Sequence, residues 1–222
     1  MPVIVIGSPK GGAGKSTTAV LLGTELANAG ANVTFLDCDP NGSLTLWSDR
    51  APVPDRVTVI SEITEASIIK TIRAHDEDGN VVIVDLEGVA SRLVSRAISQ
   101  ADLVITPMRA TTLDATIGVR ALSLIAEEEE ALGREIPHAV VFTMTRAIRS
   151  KQHKGIESSL KQQGVDVIEP PLMERAAFSA LFEFGGDLRS MPAQGRMDSA
   201  LENASAFAQA VYKRLTAQEV AA

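Results

Sequence analysis

The stretch that most constrains this chain is SPKGGAGKST, Ser8 to Thr17. It follows a short apolar run, VIVIG, and passes directly into STTAVLLGTELANAG, a helix-like segment closed by Gly30 in the place of a C-cap glycine. Strand, glycine-rich turn and helix in that order leave few folds open. Gly11, Gly12 and Gly14 let backbone N–H groups turn inward, and the helix opening at Ser16 brings its positive end to the same point. That geometry grips a polyphosphate, with Lys15 on the β- and γ-oxygens and the Ser16 hydroxyl on magnesium. A ligand-free glycine turn does not account for three glycines, a lysine and a hydroxyl in the required order. The front end departs from the usual pattern, because Pro9 stands where the first glycine belongs and Lys10 follows it. The loop thus carries a second lysine five residues ahead of the first.

Beyond the loop, strand-like and helix-like segments alternate nearly to the end. The further strands expected are NVTFLD, RVTVI, NVVIVD, DLVITPM, HAVVFT and VDVIE. Helices are expected around Ile63 to His75, Ser91 to Gln100, Asp114 to Gly133 and Lys151 to Gln163. The strands are apolar on both faces, as in a parallel sheet covered on both sides by helices. The predicted fold is a single three-layer α/β/α domain over residues 1–222 with a mostly parallel sheet, a P-loop NTPase. A last segment, Ser199 to Thr216, places Leu201, Ala204, Ala208, Val211 and Leu215 at helical spacing and is expected to dock on the sheet. GGDLRSMPAQG, Gly185 to Gly195, reads as a surface loop.

At 222 residues and 45% hydrophobic, the chain can bury one sizeable core. Its 21 basic and 28 acidic side chains give a net charge of -7, so attraction to nucleic acid or anionic lipid requires a local patch. The single cysteine, Cys38, allows no internal disulfide and cannot alone supply an iron–sulfur or structural zinc site. No apolar run approaches the roughly 20 residues of a membrane span, and no signal-peptide order is present. A cytoplasmic location is expected.

A nucleotide hydrolase of this kind needs a carboxylate at another strand end to hold the metal. VVIVD ends on Asp85 after four apolar residues, the form expected of a magnesium-linked aspartate, and FLDCDP places Asp37 and Asp39 just past the second strand. Strand-end aspartates often only cap turns. Two such sites together with the loop make a nucleotide and magnesium site the better account.

KGGAGKST, DCDP and VVIVD, in this order and over essentially the whole chain, resemble the ParA/MinD family of deviant Walker A ATPases. The resemblance implies ATP and Mg2+ as ligands, bound at Lys10, Gly11, Gly12, Ala13, Gly14, Lys15, Ser16 and Thr17. It implies that Lys10 reaches across a nucleotide-sandwich homodimer to the partner's phosphates, a cationic finger supplied in trans. By the same resemblance Asp39 orients the attacking water, Asp37 lies close to the magnesium shell and Asp85 contacts the metal through water; the catalytic set is Lys10, Lys15 and Asp39. The sequence departs from many relatives after Asp85, reading LEG, and Glu87 is unfavourable beside a terminal phosphate unless it points away or pairs with a cation. TTLDATIG, Thr111 to Gly118, is similar to the family segment that helps form the dimer face.

No helix-turn-helix segment precedes the loop, which resembles the small ParA type. PPLMERAAFSALFEFG is similar to VirC-type proteins of conjugative transfer and to small plasmid-partition ATPases. In the partition proteins an ATP dimer coats DNA without sequence preference until a ParB-like or adaptor partner stimulates hydrolysis, so the resemblance implies nucleoid association when ATP is bound. DNA contact needs cations, and it weakens with salt. RAIRSKQHKG offers Arg146, Arg149, Lys151 and Lys154, to which Arg175, Arg189, Arg196, Lys213 and Arg214 could add; the plain alternative is a solvated helix start. EEEEALG reads as a solvated helix face.

Other functions share the loop. A positioning ATPase for a protein assembly, or for a conjugative relaxosome, uses the same site residues. MinD-like membrane cycling is disfavoured, since YKRLTAQEVAA has little basic amphipathic character, and stable membrane association is not expected. A small-molecule ATP-dependent enzyme needs a substrate constellation that the sequence does not display, and the iron-protein reductases need bridging cysteines.

Overall fold

A computed structural model describes residues 2–75, 79–88, 91–193 and 195–221, without the side chains of residues 114, 115, 117, 119, 120 and 218–221. Seven strands form one sheet: β1 (Val3–Ile6), β2 (Asn32–Cys38), β3 (Val57–Ile60), β4 (Asn80–Leu86), β5 (Leu103–Met108), β6 (His138–Phe142) and β7 (Asp166–Ile168). Their order across the sheet is β3-β2-β4-β1-β5-β6-β7, and every pairing is parallel. The expected parallel sheet is therefore parallel throughout.

Alternation along the strands divides the core in two. Ile4, Ile6, Phe35, Ile83 and Ile105 pack with α1 (Lys15–Asn28), α2 (Ser43–Arg50), α7 (Ala176–Phe184) and α8 (Met197–Ala221) on one face. Val3, Val5, Leu36, Val84 and Val104 pack on the other face with α3 (Ile68–Ala74), α4 (Arg92–Ile98) and α5 (Thr112–Leu132). A smaller cluster of Met108, Val140, Phe142, Leu160 and Val167 seats α6 (Lys151–Gln162) near the β7 edge.

The described helices include two that the sequence pattern did not separate, α2 and α7. The α2 segment is only eight residues and mostly polar, and its burial rests on Leu44 and Trp47, three residues apart. The α3 helix begins at Ile68, five residues later than expected, since Thr64 and Ser67 form their own hydrogen-bonded turn ahead of it. The last segment lies within α8 with Ala204, Ala208, Val211 and Leu215 buried in the core cluster of that sheet face, packed chiefly on α1 and also against α7 and β7.

Gly185 to Gly195 is not the plain surface loop expected. Asp187 is buried and accepts hydrogen bonds from the N–H groups of Arg189 and Ser190 and from the side-chain amide of Asn28. The Trp47 indole N–H donates to the Gly186 carbonyl at 2.9 Å, and Leu188 and Met191 are buried. Gln194 lies outside the described residues.

Helix α1 rides unusually close to the sheet. A Cβ at Gly23 would lie 2.2 Å from the Phe35 ring, so only glycine permits this approach. The contact fixes the axis of the helix whose first residue is Lys15.

Candidate nucleotide-binding site

The chain leaves β1 through the glycine loop towards β2 on one side, whereas β5 lies on the other side of β1. A crevice therefore opens at the carboxyl end of β1, where such sheets place ligands. Gly12 (φ 70°) and Gly14 (φ 90°) take left-handed conformations that a side chain would strain, and Gly14 directly precedes α1. The cleft over the loop, about 460 Å3, is walled by Lys15, Ser16, Asp39, Glu87 and Met144 together with loop glycines.

Lys15 is buried, and its ammonium lies 3.7 Å from Asp39 Oδ2, both side chains being under a tenth exposed. The other Asp39 oxygen accepts hydrogen bonds from the backbone N–H and side-chain amide of Asn41. Asp37 and Asp85 face each other in the β2–β4 register, which places two carboxylates side by side beneath the loop. Asp37 Oδ2 accepts from the N–H and hydroxyl of Thr45 at 2.8 and 2.7 Å, while Oδ1 is buried with no hydrogen-bond partner.

Asp85 is fully buried, and neither carboxylate oxygen has a hydrogen bond of good geometry, although the Ser16 hydroxyl lies close enough to act on it. Burial pushes its carboxyl up to about 7; the nearby Ser16 hydroxyl and Lys15 ammonium pull the other way, and Asp37 and Asp39 add to the rise. A buried carboxyl of this kind either keeps its proton, as the rise to about 7 implies, or is completed by a cation that favours the charged form. Among the described residues no group of three or more His, Cys, Asp or Glu side chains forms a metal cage. Magnesium, which keeps water and phosphate oxygens as most of its ligands, needs only one or two protein carboxylates. Ser16, Asp85 and Asp37 fit that requirement.

Cys38, between Asp37 and Asp39 in the chain, is pushed up to about 12 by burial and then by the charges of Asp37, Asp85 and Glu87. It is a packed thiol rather than a metal-binding thiolate. Lys10 is half-buried at the front of the loop and is not part of the cleft wall. Thr112 begins α5 within the TTLDATIG segment; the side chains of Asp114, Ala115 and Ile117 lie outside those described.

Sequence reasoning missed two residues at the site. Arg109, just past β5, donates to the Gly12 carbonyl at 2.9 Å, and Thr143, just past β6, donates to the Ala13 carbonyl at 2.8 Å. The only available signal was their position, each being the first residue beyond a strand that ends at the crevice.

The expected cationic surface divides. Arg146, Lys151 and Lys154 are exposed around the start of α6, but Arg149 pairs with Glu157 and Glu169 at 2.8 and 2.7 Å. Arg189 pairs with buried Glu25 on a cavity lined by Pro2, Gly30 and Asn80, at the strands' amino ends, so it does not extend the α6 patch. Arg196 is exposed ahead of α8, Arg214 pairs with Asp166, and Lys213 lines the same cavity as Arg189. Arg175 has a buried Nε with no hydrogen-bond partner, beside Thr17 and Thr18 in a small cleft. No helix among the described residues is long and apolar enough to cross a membrane.

A family model for the VirC1 protein matches residues 1–215. A protein ParA of Rhizobium radiobacter is 65% identical over 218 residues, 97% of this chain and 98% of that one. A protein virC1 of Rhizobium rhizogenes is 27% identical over 190 residues, 83% and 82% of the two chains. Among solved structures, the ATP complex of an McdA variant from Cyanothece superposes with a TM-score of 0.76 at 19% identity, covering 96% of each chain, a likeness of fold. With one model matching nearly its whole length and a ParA so similar from end to end, this chain belongs to the VirC1 family of ParA-like small ATPases.

Proposed function

We propose that the chain is an ATP-driven switch that partitions or positions plasmid or chromosomal DNA. ATP and Mg2+ bind at the loop, two copies close over the nucleotides, and the dimer holds DNA without sequence preference until a ParB-like or adaptor partner stimulates hydrolysis to ADP and phosphate. The observation that carries this reading is the juxtaposition of buried Lys15 with the unpartnered carboxylate oxygens of Asp85 and Asp37.

Ser16 and Asp85, with Asp37 beside them, would hold the metal, which supplies charge neutralisation on the phosphate oxygens. Lys15 changes partners from Asp39 to phosphate. Its departure frees one Asp39 oxygen to orient water, while Asn41 keeps the carboxylate fixed through the other. Lys10 serves the neighbouring subunit in this reading, on the family resemblance of its position in the loop. In this reading the protein works in the cytoplasm and sits on the nucleoid while ATP is bound, with Arg146, Lys151 and Lys154 as the exposed DNA contacts.

The test is sedimentation and DNA retention of Asp39→Ala with ATP, ADP or no nucleotide, repeated at raised salt. An ATP-specific dimer retaining unrelated DNA in a salt-sensitive manner is expected. An ATP dimer indifferent to DNA removes the DNA step and leaves the ATPase. A second reading, in which the cargo is a conjugative relaxosome or another protein assembly, is favoured by the match to the VirC1 model and shares every site residue. Partner capture with the ATP-locked variant separates the two.

A further inference from the structure

We infer that Arg109 and Thr143 are positioning residues for nucleotide binding, a two-point clamp that presets the phosphate loop; the inference rests on the nucleotide-site reading above. The two side chains come from the ends of neighbouring strands, β5 and β6, and take consecutive carbonyls of the loop, Gly12 and Ala13.

In a planar trans peptide the C=O and the following N–H point in opposite directions. Holding the Gly12 carbonyl outward therefore turns the Ala13 N–H the other way, and holding the Ala13 carbonyl does the same for the Gly14 N–H. These are donors of the kind that cradle phosphate oxygens in such a loop. A glycine-rich segment left unpinned loses much backbone entropy when it orders around a ligand. A loop pinned beforehand loses less, and the difference appears as affinity.

The two pins differ in environment. Thr143 is buried, its own N–H donates to the Met108 carbonyl at 2.9 Å, and its methyl faces Gly14, where an added Cβ would lie 3.4 Å away. Ala13 is only 1% exposed, so its carbonyl has no ready replacement in water. Arg109 is exposed, and water can substitute at Gly12. Thr143 is therefore the stronger pin.

The experiment measures Mg–ATP and Mg–ADP dissociation constants, KM and kcat for the parent, Thr143→Val, Thr143→Ser, Arg109→Ala and Arg109→Lys, with melting temperatures alongside. Thr143→Val keeps the shape and loses the donor, and a loss of roughly five- to tenfold in affinity for both nucleotides is expected, expressed in KM more than in kcat. Thr143→Ser, which keeps the hydroxyl and loses the methyl, restores affinity even where it melts earlier. Arg109→Ala shows a smaller loss, about two- to threefold, with partial recovery in Arg109→Lys. A merely structural role lowers melting temperature while leaving the affinity of the folded protein unchanged. Parent-like dissociation constants in both Thr143→Val and Arg109→Ala overturn the clamp while the nucleotide site stands. A parent that binds neither nucleotide overturns the site, and the clamp with it. Arg109 is exposed, so its variants remain informative if Thr143→Val does not fold.

Discussion

The two edges of the sheet treat buried charge in opposite ways. At the amino ends of the strands, Glu25 is met by the Arg189 guanidinium, and Asp187 is satisfied by two backbone N–H groups and Asn28. At the carboxyl ends, Asp85 and one oxygen of Asp37 have no hydrogen-bond partner. The first edge uses polar groups to close a structure, whereas the second keeps them open for something that arrives. The amino edge nevertheless holds the larger cavity, about 1030 Å3 against about 460 Å3 at the loop. Size alone points to the amino edge, and unsatisfied chemistry points to the carboxyl edge, where the proposed site lies.

Substitutions at the two edges test this contrast. Lys15→Ala carries the largest expected effect: ATP affinity falls by roughly a hundredfold or more, since a buried charge-assisted phosphate contact is lost. Unchanged nucleotide binding would dissolve the contrast altogether.

Asp85→Asn comes next and acts on stability in the absence of nucleotide and metal. The folded protein holds a proton on Asp85 up to about pH 7, which the unfolded chain releases near pH 4, so the parent loses stability as pH rises through that window. Asn carries no charge to bury. The variant should therefore be more stable than the parent at pH 8, by on the order of a few kcal/mol, with a flatter profile between pH 4 and 7. Chemical denaturation across that range, with a chelator present, checks the sign; a variant less stable than the parent at pH 8 contradicts the open-site account.

Glu25→Gln is the smallest. Arg189 is 42% exposed and can turn to water, so the loss is limited to about 1–2 kcal/mol of stability, with ATP affinity unaltered. A change in ATP affinity at this position would show that the edges communicate.

Most of the architecture was legible because hydrophobic patterning dominates it. The strands of a sheet buried on both faces are unbroken apolar runs, and the glycine loop fixed where the first helix begins. That Asp37, Asp39, Lys15 and Ser16 gather at one end of the sheet was legible for the same reason, each lying at a fixed offset from a strand end or from the loop. What escaped depends on three-dimensional partners. The α2 helix exists because Trp47 finds Phe35 and the Gly186 carbonyl, and no local signal in SLTLWSDR announces that. Arg189 reads as a free cation in RSMPAQGR until Glu25, 164 residues away, is brought against it. Arg109 and Thr143 likewise gain meaning only from the loop carbonyls they hold.

The absent side chain at Gly23 has a mechanical consequence. It seats α1 on Phe35; Phe35 packs edge-on to Trp47, and Trp47 is tied to the 185–190 segment. Helix α1, strand β2, α2 and the 185–190 segment are thereby packed into one unit, with Lys15 at the leading end of α1. Any displacement of Lys15 along the helix axis therefore meets the Phe35 ring and, through it, Trp47.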